Sequence, residues 1–238
     1  TDAMLPQLAR EFAVTTGAAG HVITAFAISY GLLQVMFGPL SERYGKYVTV
    51  TASTLAASFA VLACAIAPSL EALTLARFVS GALAGAMIPI SMAFIGDSVP
   101  YAVRQPVLAR FLMGQMFGII GGQMLGGVMG EHFGWRAPFY ALGALFLVTA
   151  ACLVWELRRN PLTRSPRRAG PTQGFFAGAR RVLSRPWPRV VLTAAFVEGL
   201  TVYGPFAFVA SYLHDRFGIS LAAAGGMIAF FGIGGIAY

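Results

Sequence analysis

The sequence predicts an all-α polytopic membrane protein, and three observations carry that prediction. Of 238 residues, 57% are hydrophobic and only 11% charged, where a typical soluble domain carries about 25% charged residues. Mean hydropathy is +0.71. Apolar runs close to the roughly 20 residues that cross a bilayer recur along the whole chain, and most charges fall between them.

Taken in order, residues 1–5 read as the tail of a first helix. Spans follow at 20–39, 47–67, 70–96, 106–129, 136–156, 189–212 and 220–238, counted here as the second to eighth helices. Between the second and third lies Gly38-Pro39-Leu40-Ser41-Glu42-Arg43-Tyr44-Gly45-Lys46. Uncharged runs flank it, Ile23–Phe37 before and Tyr47–Leu70 after, so the charges and glycines predict a tight turn at the water interface. The fourth helix carries Arg77 about 8 residues in, roughly 12 Å deep at 1.5 Å per residue.

The fifth helix repeats glycine every four residues, at Gly114, Gly118, Gly122, Gly126 and Gly130, with Gly121 and Gly127 alongside. In lipid, helices gain little hydrophobic attraction for one another, so such a face serves close backbone packing. Gly81 and Gly85 of the fourth helix offer a matching notch. The seventh helix carries Glu198, then Gly199 and Gly204-Pro205, and a bend is expected there because Pro205 lacks an amide donor. Three regions result: an N-terminal six-helix bundle at 1–156 with its first helix truncated, a basic linker at 157–188, and the start of a C-terminal bundle at 189–238. Within the linker, residues 173–184 suit either a short helix on an anionic membrane surface or a solvated, flexible segment.

The +8 net charge does not point to nucleic acid, because its distribution follows the positive-inside rule. One side holds Arg43, Lys46, Arg104, Arg110, Arg158, Arg159, Arg164, Arg167, Arg168, Arg180, Arg181, Arg185 and Arg189; the other holds Arg10, Arg136 and Arg216. Loop 38–46 and linker 157–188 are therefore expected in the cytoplasm. Cys64 and Cys152 lie inside apolar runs, which argues against a disulfide framework. No zinc spacing, nucleophile–base pair or cofactor motif emerges, so neither an enzyme nor a bound cofactor is expected.

A repeat supports two bundles. Shifted by 205 residues, Leu8, Phe12, Ala18, Ala19, Gly20, Ile23, Phe26 and Ile28 fall on Leu213, Phe217, Ala223, Ala224, Gly225, Ile228, Phe231 and Ile233, with Val14/Ile219 and Thr15/Ser220 conservative. Six helices separate the copies, as in a parallel repeat of six-helix units. The start at Thr1 and the stop within an apolar run read as an internal fragment, from the end of helix one to helix eight.

Chemistry is sparse and specific. An intramembrane Arg is costly and normally faces a cavity or a partner, although Arg77 could also snorkel to the interface. Glu198 suits binding of protons or a cation, or a wet crevice. Asp2 stands near the end of helix one, either as a site or as a solvated helix end. Asp97 ends the fourth helix level with Glu42, Arg43 and Lys46, a placement that suits a latch. His21, His132 and His214 fall near the opposite surface.

These motifs resemble the major facilitator superfamily of secondary transporters. Gly38, Leu40, Glu42, Arg43, Gly45 and Lys46 match its loop between helices two and three, with Glu in the usual Asp position. Arg77-Phe78-Val79-Ser80-Gly81 resembles its Arg-x-x-Gln-Gly motif with Ser80 for Gln, and Phe133-Gly134-Trp135-Arg136-x-x-Phe139 resembles its entry to helix six. Thr1-Asp2-x-x-Leu5-Pro6 is similar to the twelve-helix drug:proton antiporters of the bicyclomycin/chloramphenicol-resistance type.

That resemblance implies the major facilitator fold, Asp2 and Arg77 as proton-coupling and substrate residues, and a cytoplasmic charge relay of Glu42, Lys46 and Asp97. Gly118, Gly122, Gly126 and Gly127 match the antiporter motif of helix five, but Gln123 stands in place of its Pro and leaves the coupling mode open. The expected function is export of lipophilic, drug-like compounds by proton antiport, through alternating access. The partners are a small-molecule substrate, protons and the lipid bilayer, with no nucleic acid, and the protein is expected to be a monomer in a bacterial inner membrane. Phe26, Tyr30, Gln34, Gln115, Tyr203 and Phe206 are expected to line the cavity. The rival readings are a metabolite or sugar uniporter or symporter, and a non-transporting scaffold or sensor.

Overall fold

The computed structural model describes residues 4–163, 180, 183–203, 205, 208–220 and 223–228. Among these every regular element is a helix. The order is α1 (Leu5–Glu11), α2 (Thr16–Ala19), α3 (His21–Tyr44), α4 (Lys46–Ala65), α5 (Leu70–Ala84), α6 (Met87–Ser98), α7 (Tyr101–Phe133), α8 (Ala137–Arg159), α9 (Pro186–Glu198) and α10 (Val209–Phe217). Among the described residues five stretches are long and apolar enough to cross a membrane: Thr16–Tyr44, Lys46–Ala65, Leu70–Ser98, Tyr101–Phe133 and Ala137–Arg159. They coincide with the second to sixth predicted spans, and the chain is an integral, multi-pass membrane protein.

Short connections make successive spans antiparallel, so the bundle has a Lys46 end and a Trp135 end. Packing is most extensive between α3 and α5 and between α4 and α8. The core gathers toward the Trp135 end, where Leu5, Leu8, Val22, Val61, Leu73 and Phe139 are buried together. Elsewhere large apolar side chains such as Leu32, Phe59, Leu75, Phe117 and Leu145 point outward. That is the inverse of a water-soluble surface and suits contact with lipid.

Several boundaries differ from the sequence expectation. The predicted turn at 38–46 contracts to one residue, Gly45, because α3 continues through Pro39 to Tyr44. Ser41 Oγ donates to the Gly38 carbonyl across this segment, and the basic Arg43 complements the helix C-terminus. Gly45 then adopts φ 97°, where a side chain would be strained, and α4 begins at once.

The fourth predicted span is divided between α5 and α6 at Gly85–Ala86. Pro89 explains the break: it has no N–H to return to the Gly85 carbonyl, and the first turn of a new helix tolerates it. The seventh begins at Pro186 rather than 189 and is interrupted by a π-turn, Gly199–Tyr203, just before Pro205. The eighth is helical at 223–228; most of its predicted span, and most of linker 157–188, lies outside the described residues.

The repeat has a structural counterpart. Thr15 Oγ1 accepts from the Ala18 amide at 3.1 Å, and Ser220 Oγ accepts from the Ala223 amide at 3.2 Å. Each hydroxyl caps a helix start, and Ala19 and Ala224, one residue further on, are both fully buried.

Candidate functional site

Arg77 is the most deeply enclosed charge among the described residues, 8% exposed within α5. Its guanidinium carbon lies 4.0 Å from the centre of the Phe26 ring on α3 and 5.9 Å from that of Phe139 on α8. Cation–π attraction of this kind strengthens as water is removed. Ser80, which stands where the superfamily motif has Gln, donates its hydroxyl to the Arg77 carbonyl at 3.0 Å.

Glycine sets the spacing. A Cβ on Gly81 would stand 2.4 Å from the Phe26 carbonyl oxygen and from Ser29 Oγ; one on Gly85 would stand 2.9 Å from the Tyr30 carbonyl and 3.1 Å from Gln34 Cβ. The notch made by these two glycines therefore receives α3, not the glycine face of the fifth helix. This places Phe26, Tyr30 and Gln34, one helical turn apart, along the α3–α5 seam. The Phe26 and Tyr30 rings stack at 5.9 Å. Gln115 is half-buried on α7.

At the Lys46 end, the Lys46 ammonium pairs with the Asp97 carboxylate, joining the start of α4 to the end of α6. Lys46 also reaches the Ala93 carbonyl, and Tyr47 meets Phe94 edge-on at 5.4 Å. Glu42 and Arg43 are exposed on the last turn of α3, with Arg43 over the Tyr44 ring. The structure thus brings Lys46 and Asp97 together and leaves Glu42 outside their pair. Gly38 has open space where a Cβ would stand.

Along α7, no neighbour comes within 4 Å of a Cβ built on Gly114, Gly118, Gly122 or Gly126, among the described residues. Gly127 is buried instead. A Cβ on Gly225 would lie 3.6 Å from its Cα and 2.8 Å from the Gln123 carbonyl, so α7 meets the start of the eighth helix there. The helix runs unbroken through Gln123, whose retained amide keeps its hydrogen-bonding capacity.

Glu198 is exposed at the end of α9. It lines an open groove with Thr193, Ala194 and Thr201, all of the same interrupted helix. Arg77 and Glu198 are thus in separate surroundings. Asp2 and Phe206 lie outside the described residues, as does the side chain of Tyr203.

Two features at the Trp135 end were not assigned from sequence. Arg136 Nη1 donates to Glu11 Oε1 at 2.6 Å and Nη2 to the Ala67 carbonyl at 3.3 Å, with the guanidinium 4.2 Å above the Trp135 ring. The Arg136 hydrogen bond holds the Glu11 carboxyl below its ordinary range; desolvation, the next largest influence, opposes it, and the Arg136 charge and Trp135 add to it. Beside it, a cleft of about 270 Å³ is lined by Pro6, Gln7, Arg10, Glu131, His214 and Ser220. His214 Nδ1 lies 2.9 Å from the Ile219 carbonyl. No group of three or more His, Cys, Asp or Glu side chains could hold a metal among the described residues.

Residues 1–238 match the family profile described as Major Facilitator Superfamily. The chain is 27% identical over 97% of its length to an uncharacterized MFS-type transporter, YwfA, of Bacillus subtilis, covering 56% of that protein. It is 27% identical over 69% of its length to the multidrug export protein EmrB of Escherichia coli K12, covering 32% of it. It is 28% identical over 68% of its length to the fatty acid resistance protein FarB of Neisseria gonorrhoeae, also covering 32%. The chain spans about half, or less, of the length of these relatives.

Proposed function

The chain belongs to the Major Facilitator Superfamily, and from that premise we propose that the whole protein exports lipophilic, drug-like compounds by proton antiport. The subfamily we assign is the twelve-helix drug:proton antiporters. The observation that carries the reading is Arg77, a buried guanidinium within a membrane-spanning helix. Such a charge is expensive in lipid and is a functional residue by default. The exporters among the relatives support the substrate class.

In this reading residues 1–156 and 189–238 belong to two bundles, joined by linker 157–188, that rock about a midplane cavity. Asp2, Arg77 and Glu198 couple protons to substrate, the carboxylates binding and releasing the proton while Arg77 keeps its charge. Phe26, Tyr30, Gln34, Gln115, Tyr203 and Phe206 face the substrate path. Gly38, Glu42, Arg43, Gly45, Lys46 and Asp97 hold one conformation as a latch. The glycines of α5 and α7 let helices approach and slide. In this reading the Lys46 end faces the cytoplasm across a bacterial inner membrane, supported by the excess of Arg at that end, and the protein acts as a monomer.

The test is ethidium efflux driven by a pH gradient in everted vesicles bearing the whole protein. Asp2→Asn and Arg77→Ala are each expected to abolish it, and unchanged efflux in both would remove them from coupling. A second reading, a uniporter or symporter of the same superfamily, draws on one observation: α7 is continuous through Gln123, where the antiporter motif has a helix-kinking Pro.

A further inference from the structure

We propose that Phe26 is a positioning residue for Arg77, holding the guanidinium over its ring face rather than serving mainly as a wall of the substrate cavity. The inference rests on the coupling role proposed for Arg77 and names the side chain that aims it.

Among the described residues, two aromatic rings from neighbouring helices face the guanidinium: Phe26 of α3 and Phe139 of α8. Of these, Phe26 lies nearest in a defined geometry, with its ring centre 4.0 Å from the guanidinium carbon.

The ring is itself held. Ser29 Oγ donates to the Phe26 carbonyl at 3.0 Å, and the missing Cβ of Gly81 lets that carbonyl press against α5 one turn beyond Arg77. Tyr30 stacks on the ring at an interplanar angle of 26°. A flexible Arg side chain thus gains a fixed, electron-rich face at the depth where its charge is least tolerated. A ring quadrupole can orient a guanidinium without neutralising it.

The experiment measures pH-driven ethidium transport in everted vesicles bearing the whole protein, with position 26 varied. Phe26→Leu is expected to lower the rate about tenfold and Phe26→Trp to lower it clearly less, because only the second retains a π face. Incorporation of phenylalanine with one, two and three ring fluorines at position 26 keeps the shape and drains the quadrupole, and is expected to lower the rate stepwise. A flat fluorine series, or equal rates for Leu and Trp, overturns the proposal. Arg77→Ala separates the two claims. If it abolishes transport while the position-26 series is flat, only the role of Phe26 falls; if it leaves transport intact, the coupling role of Arg77 falls and that of Phe26 with it.

Discussion

Gly81 and Phe26 bring two helices to backbone contact: a Cβ on the glycine would stand 2.4 Å from the phenylalanine carbonyl oxygen. No real Cβ sits so close to backbone, and a carbonyl within a helix cannot swing aside. Gly81→Ala must therefore push α5 away from α3. Overpacking of this kind costs about 1–3 kcal/mol, so a lower melting temperature is expected for the purified protein. Gly114→Ala is the control. It meets nothing within 4 Å among the described residues, and its melting temperature should match the parent. An equal loss at Gly114 would show that a further segment covers that face of α7.

Glu11 and Arg136 predict a pH dependence at the opposite end of the bundle from Lys46. The folded state lowers the Glu11 pKa, chiefly through the Arg136 hydrogen bond. The pair therefore contributes its full stability above the ordinary carboxylate range and loses it as pH falls through the lowered folded value. Glu11→Gln should melt lower than the parent at neutral pH, and the difference should close as acidification passes the lowered Glu11 value. The gap should be small, since the two side chains are 43% and 39% exposed. A difference that persists unchanged in acid would show that the carboxylate charge contributes nothing.

The contrast between these two contacts shows what the sequence makes legible. Five membrane helices follow from apolar length alone, because lipid imposes one requirement on every residue of a span. The Lys46–Asp97 pair could be anticipated, since both charges sit where helices leave the membrane. Glu11 and Arg136 stand 125 positions apart, and no local spacing relates them. Arg77 announces itself by its depth, whereas Phe26 is one aromatic among many on an apolar helix until the fold sets it beneath a cation. The extension of α3 to Tyr44 was hidden by the charges and glycines of 38–46, which read as a turn. Pro39 forfeits one hydrogen bond but leaves the helix intact. Conversely, Pro89 marked the break between α5 and α6, and a run of apolar residues masked it.

Lys46 and Asp97 form an accessible pair, with Asp97 59% exposed, so their contribution to stability is about 0–1 kcal/mol. A latch acts on conformational populations instead, and 1 kcal/mol there is about a fivefold shift. Asp97→Asn is expected to leave the melting temperature within error while increasing thiol labelling at a cysteine placed at Ala93, whose carbonyl Lys46 also approaches. The exchanged pair, Lys46→Asp with Asp97→Lys, should return labelling toward the parental level. Labelling that ignores all three variants would leave the pair a surface contact without a gating role.

Gln123 decides between the two transport readings. In α7 its amide remains available to the helix, whereas proline there would remove one hydrogen bond and clash with the preceding turn, at a cost of about 3 kcal/mol or more. An antiporter must empty a proton site when substrate binds; a uniporter need not. The purified whole protein, in a weakly buffered solution near pH 7, is therefore expected to release protons when ethidium is added, and Arg77→Ala should change the amount released. Release that is absent in the parent, together with downhill ethidium flux that ignores the pH gradient, would assign the protein to uniport and make the unbroken α7 its structural mark. Gln123→Pro then gives the reciprocal check. If the kink governs coupling, the substitution should strengthen the dependence of flux on the gradient; if it only breaks the helix, flux and melting temperature should fall together.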